Sequence, residues 1–157
     1  MKKIITTVLC FFVFANAFVF AQMIPQYNHF ALEHLKRSLE FLLQSDYQNA
    51  VISSNQLIRI DPNSALNYVI RARALFELSE FDMVITDTTQ AIRLDRNNAA
   101  AFLIRGNAHG RKGDYNRAIS DWQAALRINP DIDEASHNID VARRTINNRP
   151  SAKSDKY

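Results

Sequence analysis

Tyr47, Phe81 and Tyr115 recur at a spacing of 34 residues, and so do Ile60, Leu94 and Ile128. The same interval relates Arg37, Arg71 and Arg105, and again Arg59, Arg93 and Arg127. It relates the endings Ile60-Asp61-Pro62, Leu94-Asp95-Arg96 and Ile128-Asn129-Pro130 as well. Several columns keeping one period divide the chain into units 31–64, 65–98 and 99–132 with no insertion between them. A period in this range means a supersecondary unit that stacks on its neighbours, because one unit alone cannot bury its apolar face.

Within each unit the apolar residues recur at intervals of three and four, which marks one face of a helix. In the third unit Phe102, Gly106 and Ala108 belong to a first helix, which Lys112-Gly113-Asp114 interrupts. Gly113 suits the left-handed position after a helix, and Asp114 suits the cap of the next. Tyr115, Ala118, Ile119, Trp122, Ala125, Leu126 and Ile128 define a second helix, and Asn129-Pro130 closes the pair. Two helices of about 13 residues joined by so short a turn lie antiparallel. Only three Gly and four Pro in 157 residues agree with an all-α chain and disfavour a turn-rich β architecture.

These residues resemble the tetratricopeptide repeat. That motif asks for an aromatic near the start, a small residue four positions on, an alanine, an aromatic and another alanine in the second helix, and a closing proline. The third unit supplies Phe102, Gly106, Ala118, Trp122, Ala125 and Pro130. The second keeps Tyr68, Ala72, Phe81 and Ala91 but has Val84, Thr88 and Arg96 at the alanine, aromatic and proline positions. The first keeps Ser38, Tyr47, Ala50 and Pro62 and departs at His34, Ser54 and Leu57. The resemblance implies a right-handed α-solenoid of three hairpins. Residues 133–147, with Ala135, Ile139, Ala142 and Ile146 on one stripe and Asp140, Arg143 and Arg144 off it, read as its C-terminal capping helix. Residues 148–157 read as a polar, disordered tail.

The N-terminal residues follow another pattern. Lys2 and Lys3 precede an apolar run from Ile4 to Phe14, and Ala15-Asn16-Ala17 and Val19-Phe20-Ala21 both end in the small residues a signal peptidase accepts. Residues 1–21 are therefore expected to be a signal peptide, cleaved after Ala17 or Ala21, with 22–30 a connecting segment. Export to a bacterial periplasm or secretion follows. The alternative is an inner-membrane anchor made of residues 4–21, which is close to the roughly 20 apolar residues a span needs; only then is a membrane a partner. Cleavage removes Cys10, the one cysteine, and leaves 17 basic against 16 acidic side chains, a net charge of +1. Such a balance lacks the clustered positive field of a nucleic-acid binder.

In tetratricopeptide proteins the first helices line a concave groove, so the resemblance implies a partner-binding set: Leu32, Leu35, Lys36 and Leu39, then Leu66, Val69, Ile70 and Arg73, then Leu103, Ile104, Asn107 and Arg111. Leu42, Leu43 and Phe76 fall in the same columns. The floor is aliphatic, with Lys36, Arg73, Asn107 and Arg111 expected to orient an amphipathic or apolar segment of another protein. Chaperone adaptors of this family grip a terminal carboxylate at positions that correspond to Leu35, Leu39, Ile70, Ala100 and Ile104, none of which donates a hydrogen bond, so that activity is not expected. Self-association through the groove is the alternative reading.

Catalysis, cofactors and metals are not expected. His29, His34, His109 and His137 have no metal-ligand spacing, and no phosphate-binding glycine loop or nucleophile elbow occurs. Arg71 and Asp87, like Arg105 and Asp121, are 16 residues apart on the two helices of a hairpin. An ion pair is expected there, worth about 0–1 kcal/mol if exposed.

Overall fold

The computed structural model describes residues 29–148; the leader, most of the connecting segment and the tail beyond Asn148 lie outside them. Seven helices and no strand occur among the described residues: α1 (29–43), α2 (Tyr47–Ile60), α3 (Ala65–Glu77), α4 (Phe81–Leu94), α5 (Ala99–Arg111), α6 (Tyr115–Ile128) and α7 (Asp133–Asn147). They pair as hairpins stacked into a solenoid, α1 bonded to α2 through Ser53 and the His34 carbonyl, with α7 closing the C-terminal end against α6. None of these helices is long and apolar enough to cross a membrane.

The turns repeat as faithfully as the helices. Within the hairpins Ser45, Ser79 and Gly113 occupy one column and all have left-handed backbone, with φ of 59°, 64° and 79°. Asp46 and Asp114 follow and cap α2 and α6, accepting from the amides of Asn49 and Arg117. Between hairpins, the side chains of Asp61, Asp95 and Asn129 accept from the amides of Asn63, Asn97 and Asp131, so each forms an Asx turn. That turn explains why the column tolerates Arg96 where its neighbours have proline: the Asx bond ends the helix without one.

Helices approach closely where their facing side chains are small. Ser38, Ala72 and Gly106 form one fully or almost fully buried column, and Ala50, Val84 and Ala118 form another. The largest side chain of the core, Trp122, fits because Gly106 has no Cβ: one added there would stand 2.7 Å from the indole ring. In the column of Trp122 the other units carry Ser54 and Thr88, both fully buried, with hydroxyls bonded back to Ala50 O at 2.7 Å and Val84 O at 2.6 Å. Bulk thus rises along the solenoid from Ser54 to Trp122. Two clusters result, one around Ala72, Leu75, Val84, Ile104 and Ala108, the other around Ala118, Trp122, Ala135, Ile139 and Ala142.

The repeated arginines tie three helices each. Arg71 donates through Nε and Nη2 to both oxygens of Asp87 at 2.7 and 2.6 Å, and through Nη1 to Asn55 of the preceding hairpin at 2.8 Å. Arg105 repeats this with Asp121 at 2.8 and 2.7 Å and with Thr89 at 3.2 Å. The pairing is as expected from the sequence, and both aspartates are buried, so the small energy of an exposed pair does not apply. The bond to Asp87 holds the Arg71 guanidinium further above its ordinary pKa, against the opposing effect of burial. In the first hairpin Ser53 replaces the aspartate, and Arg37 pairs instead with Glu33 on the surface.

Two substitutions test this account. Arg105→Met leaves the Asp121 carboxylate buried and unpaired, and is expected to destabilise by about 2–4 kcal/mol, whereas Arg105→Met with Asp121→Leu regains most of the loss. Urea unfolding at neutral pH measures both. Gly106→Ala, which helix propensity alone would make favourable by about 1 kcal/mol, is expected to cost about 1–3 kcal/mol because the new Cβ would stand 2.7 Å from the buried indole of Trp122, itself bonded to Asn107; thermal and urea melts decide the sign.

Candidate partner-binding groove

The first helices of successive hairpins stand side by side, α3 against α5, and their outer sides form the concave face. Two depressions lie along it. The N-terminal one, about 430 Å³, is lined by Leu39, Leu42, Leu43 and Tyr47 with Arg73 and Glu77. The C-terminal one, about 390 Å³, is lined by residues of α3, α5, α6 and α7, among them Phe76, Gly110, Arg111, Trp122, Glu134 and Val141.

The N-terminal half is apolar because α1 repeats leucine on one stripe. Leu32, Leu39 and Leu43 are 63, 45 and 87 % exposed, and Leu66 of α3 is 52 % exposed. Leu35 is half-buried beside them. The stacking of hairpins does not use these side chains, so their apolar surface faces water. Lys36 and Arg73 stand on the same side and make only loose contacts one helical turn along, to Glu40 at 3.7 Å and Glu77 at 3.8 Å. Pairs so exposed leave both cations available.

Five of the expected groove residues have other places. Ile70 and Ile104 are 5 and 7 % exposed and belong to the packing between hairpins. Their column faces the neighbouring first helix rather than the open side, so they are not available to a partner in this arrangement. Val69 and Leu103 are half-buried against the two core clusters. Asn107 does not point a free amide into the groove. Its Oδ1 accepts from Trp122 Nε1 at 2.8 Å and from Asn138 Nδ2 at 3.1 Å, and its Nδ2 donates to Glu134 Oε1 at 2.8 Å. With both acceptor sites and one donor used, Asn107 locks α5, α6 and α7 together.

Arg111 is exposed and lies over two aromatic rings, its Cζ 5.8 Å from the centroid of Phe76 and 5.4 Å from that of Phe81. Those rings meet edge to face at 5.6 Å. Both rings therefore lie within cation–π range of the guanidinium, which stays exposed to solvent. Among the described residues no carboxylate pairs with it. Lys112, next in sequence, is engaged with Asp82.

Glu134, Asn138 and Val141 were not anticipated in the groove, since α7 reads from its sequence as a cap alone. The signal was nonetheless present: adding one 34-residue period to Ala100, Ile104 and Asn107 gives these three positions. The capping helix therefore also forms the end wall of the concave face.

A separate crevice of about 290 Å³, where α4, α5 and α6 meet, contains His109 beside Arg105, Arg117 and Asp121. Burial lowers the His109 pKa from its ordinary value, with Asp121 and Asp114 opposing and Arg105 and Arg117 assisting. No three of His, Cys, Asp and Glu among the described residues converge as metal ligands would.

A family model of the tetratricopeptide repeat matches residues 99–132. The second such domain of Spaghetti (RPAP3), solved with the HSP90 peptide SRMEEVD, is 30 % identical over 62 % of this chain and 91 % of that one, with a TM-score of 0.61. The chain belongs to the tetratricopeptide-repeat family. The TPR2B domain of yeast Sti1, solved as a complex with Hsp70, matches this TPR protein at 26 % identity and a TM-score of 0.71, over 74 % of this chain and 98 % of that one. The Arabidopsis OM64 TPR domain, at 24 % identity and a TM-score of 0.74 over 76 % and 98 %, supports the fold. No curated protein sequence matches this TPR chain significantly.

The lowered His109 pKa has a consequence for stability. The folded state binds this proton less readily than the unfolded state, so the contribution is complete above the ordinary imidazole range, about pH 6.5, and is lost as pH falls through it. Melting temperature is expected to drop between pH 7.5 and 5.5, and His109→Gln to make that drop smaller. An unchanged pH profile in the variant would count against the assignment.

Proposed function

We propose that this TPR protein is an exported, non-catalytic interaction module which holds an apolar or amphipathic segment of another protein in its concave groove, as an adaptor or assembly factor. The observation that carries this reading is the leucine stripe of α1, exposed at Leu32, Leu39 and Leu43 and continued by Leu66 across the N-terminal depression. An apolar patch of this kind, which the repeat stacking leaves uncovered, usually marks a binding surface. The solved relatives with HSP90 and Hsp70 peptides support the same use of the fold. The peptide chemistry here differs, because Leu35, Leu39, Ile70, Ala100 and Ile104 offer no side-chain donors for a terminal carboxylate.

Magnitudes suggest how such a ligand is held. Covering three partly exposed leucines contributes about 3–6 kcal/mol, while association costs at least about 4 kcal/mol in lost freedom. The leucines thus provide breadth, and a useful affinity needs further apolar pockets or a polar anchor. An open groove lacks the enclosed, water-excluded pocket in which electrostatic catalysis works, so enzymatic use finds no support in it.

The export half of the proposal rests on Lys2, Lys3, the apolar run from Ile4 and the small residues ending at Ala21. The periplasm or the extracellular space is the proposed location, with retention of residues 4–21 as an inner-membrane anchor the competing form.

One experiment tests both halves. The full chain is expressed in a bacterium, recovered from the envelope fraction with its bound proteins, and weighed intact, beside a variant carrying Leu32→Gln, Leu39→Gln and Leu43→Gln with unchanged circular dichroism. The expected outcome is a chain shortened by 21 residues, or by 17 for the earlier cleavage site, and one captured protein that the variant loses at least tenfold. Equal capture by both chains removes the groove reading. A parent that is a dimer and a variant that is a monomer, with nothing else captured, assigns the stripe to self-association.

A further inference from the structure

The Arg111 guanidinium is an exposed cation held against two aromatic rings. Its Cζ lies 5.8 and 5.4 Å from the centroids of Phe76 and Phe81, and no carboxylate among the described residues pairs with it. The C-terminal depression that it lines is apolar in part, at the Phe76 ring, Gly110, Val141 and Ala142. The polar groups of the same depression satisfy one another, since Asn107 bonds Trp122, Asn138 and Glu134.

We propose that the bound segment places a glutamate side chain in this pocket, its carboxylate paired with the guanidinium fork of Arg111, while apolar residues of the same segment lie along Leu32, Leu39 and Leu43. This rests on the groove being the partner site. Charge complementarity selects an acidic group, and a planar guanidinium presenting parallel N–H groups matches a carboxylate through two hydrogen bonds. The surroundings select its stem. Two methylenes of glutamate cover the apolar ring of Phe76 and the side chain of Val141, whereas a terminal carboxylate reaches the fork without such a stem. Glu134 of the same depression does not take this place, because its Oε1 is bonded to Asn107. The apolar stripe gives the segment its length, and Arg111 fixes its register.

The test uses a phage-displayed random 16-residue peptide library selected on the folded chain. The strongest peptide is then synthesised with an amidated C-terminus and a fluorescent label, together with its Glu→Gln variant. Selected peptides are expected to share one glutamate at a fixed offset from two or three apolar residues. Glu→Gln is expected to weaken binding to the parent chain tenfold or more, and to change binding to the Arg111→Gln chain less than twofold. The peptide substitution is read on the unaltered chain, so the result does not depend on how the variant folds.

Peptides rich in apolar residues with no shared acid, or an equal Glu→Gln loss on both chains, overturn this proposal while leaving the groove as a binding site. Binding that requires a free C-terminus assigns Arg111 to a terminal carboxylate and overturns it likewise. A library that yields no binder, with a parent chain that light scattering shows to be a dimer, removes the groove reading and this inference together.

Discussion

Two helices can approach only as closely as the side chains between them permit, and everything else in this solenoid depends on that distance. The columns Ser38, Ala72, Gly106 and Ala50, Val84, Ala118 keep the crossing thin. A thin crossing brings the arginines of the first helices within reach of aspartates on the second, and lets one guanidinium touch the hairpin before it. It also sets the depth of the groove, because the first helices must stand side by side for their outer faces to form one surface. Where one side of the contact grows, the other gives way, as Gly106 does for Trp122.

The polar bonds of the core complete this arrangement rather than drive it. A buried aspartate is costly without a partner, and Arg71 and Arg105 satisfy theirs through both oxygens. Such geometry is restrictive, so it specifies how one hairpin sits on the next as well as stabilising the contact. Asn107 has the equivalent role at the C-terminal end, where an indole, an amide and a carboxylate from two further helices meet on one side chain. A residue in a groove column thereby becomes a structural joint.

The concave face divides into two chemically distinct halves. Leucines dominate the N-terminal half and favour breadth of contact over direction. The C-terminal half sets a cation against aromatic rings in a partly apolar depression and so favours direction. A surface with both properties can hold a segment in one register. Neither half encloses its contents, as a surface for another protein's chain requires.

The fold was legible because a 34-residue period is a property of sequence alone. The helical spacing, the left-handed turn at Gly113, the Asp114 cap and the pairing of Arg105 with Asp121 all follow from local chemistry repeated at a fixed interval. The groove was legible only in part. Ile70 and Ile104 lie on first helices, as Leu32 and Leu39 do, and are as hydrophobic, and no pattern of three and four distinguishes an aliphatic side chain that faces a neighbouring helix from one that faces water. That distinction depends on the rotation of each helix about its axis when the hairpins stack. Leucine thus remained exposed on α1, isoleucine was buried on α3 and α5, and α7, recognisable as a cap, became a wall. The sequence by itself determined the units, their turns and their order. The tertiary structure decided which members of each apolar column are surface, because burial depends on what the next helix brings against them.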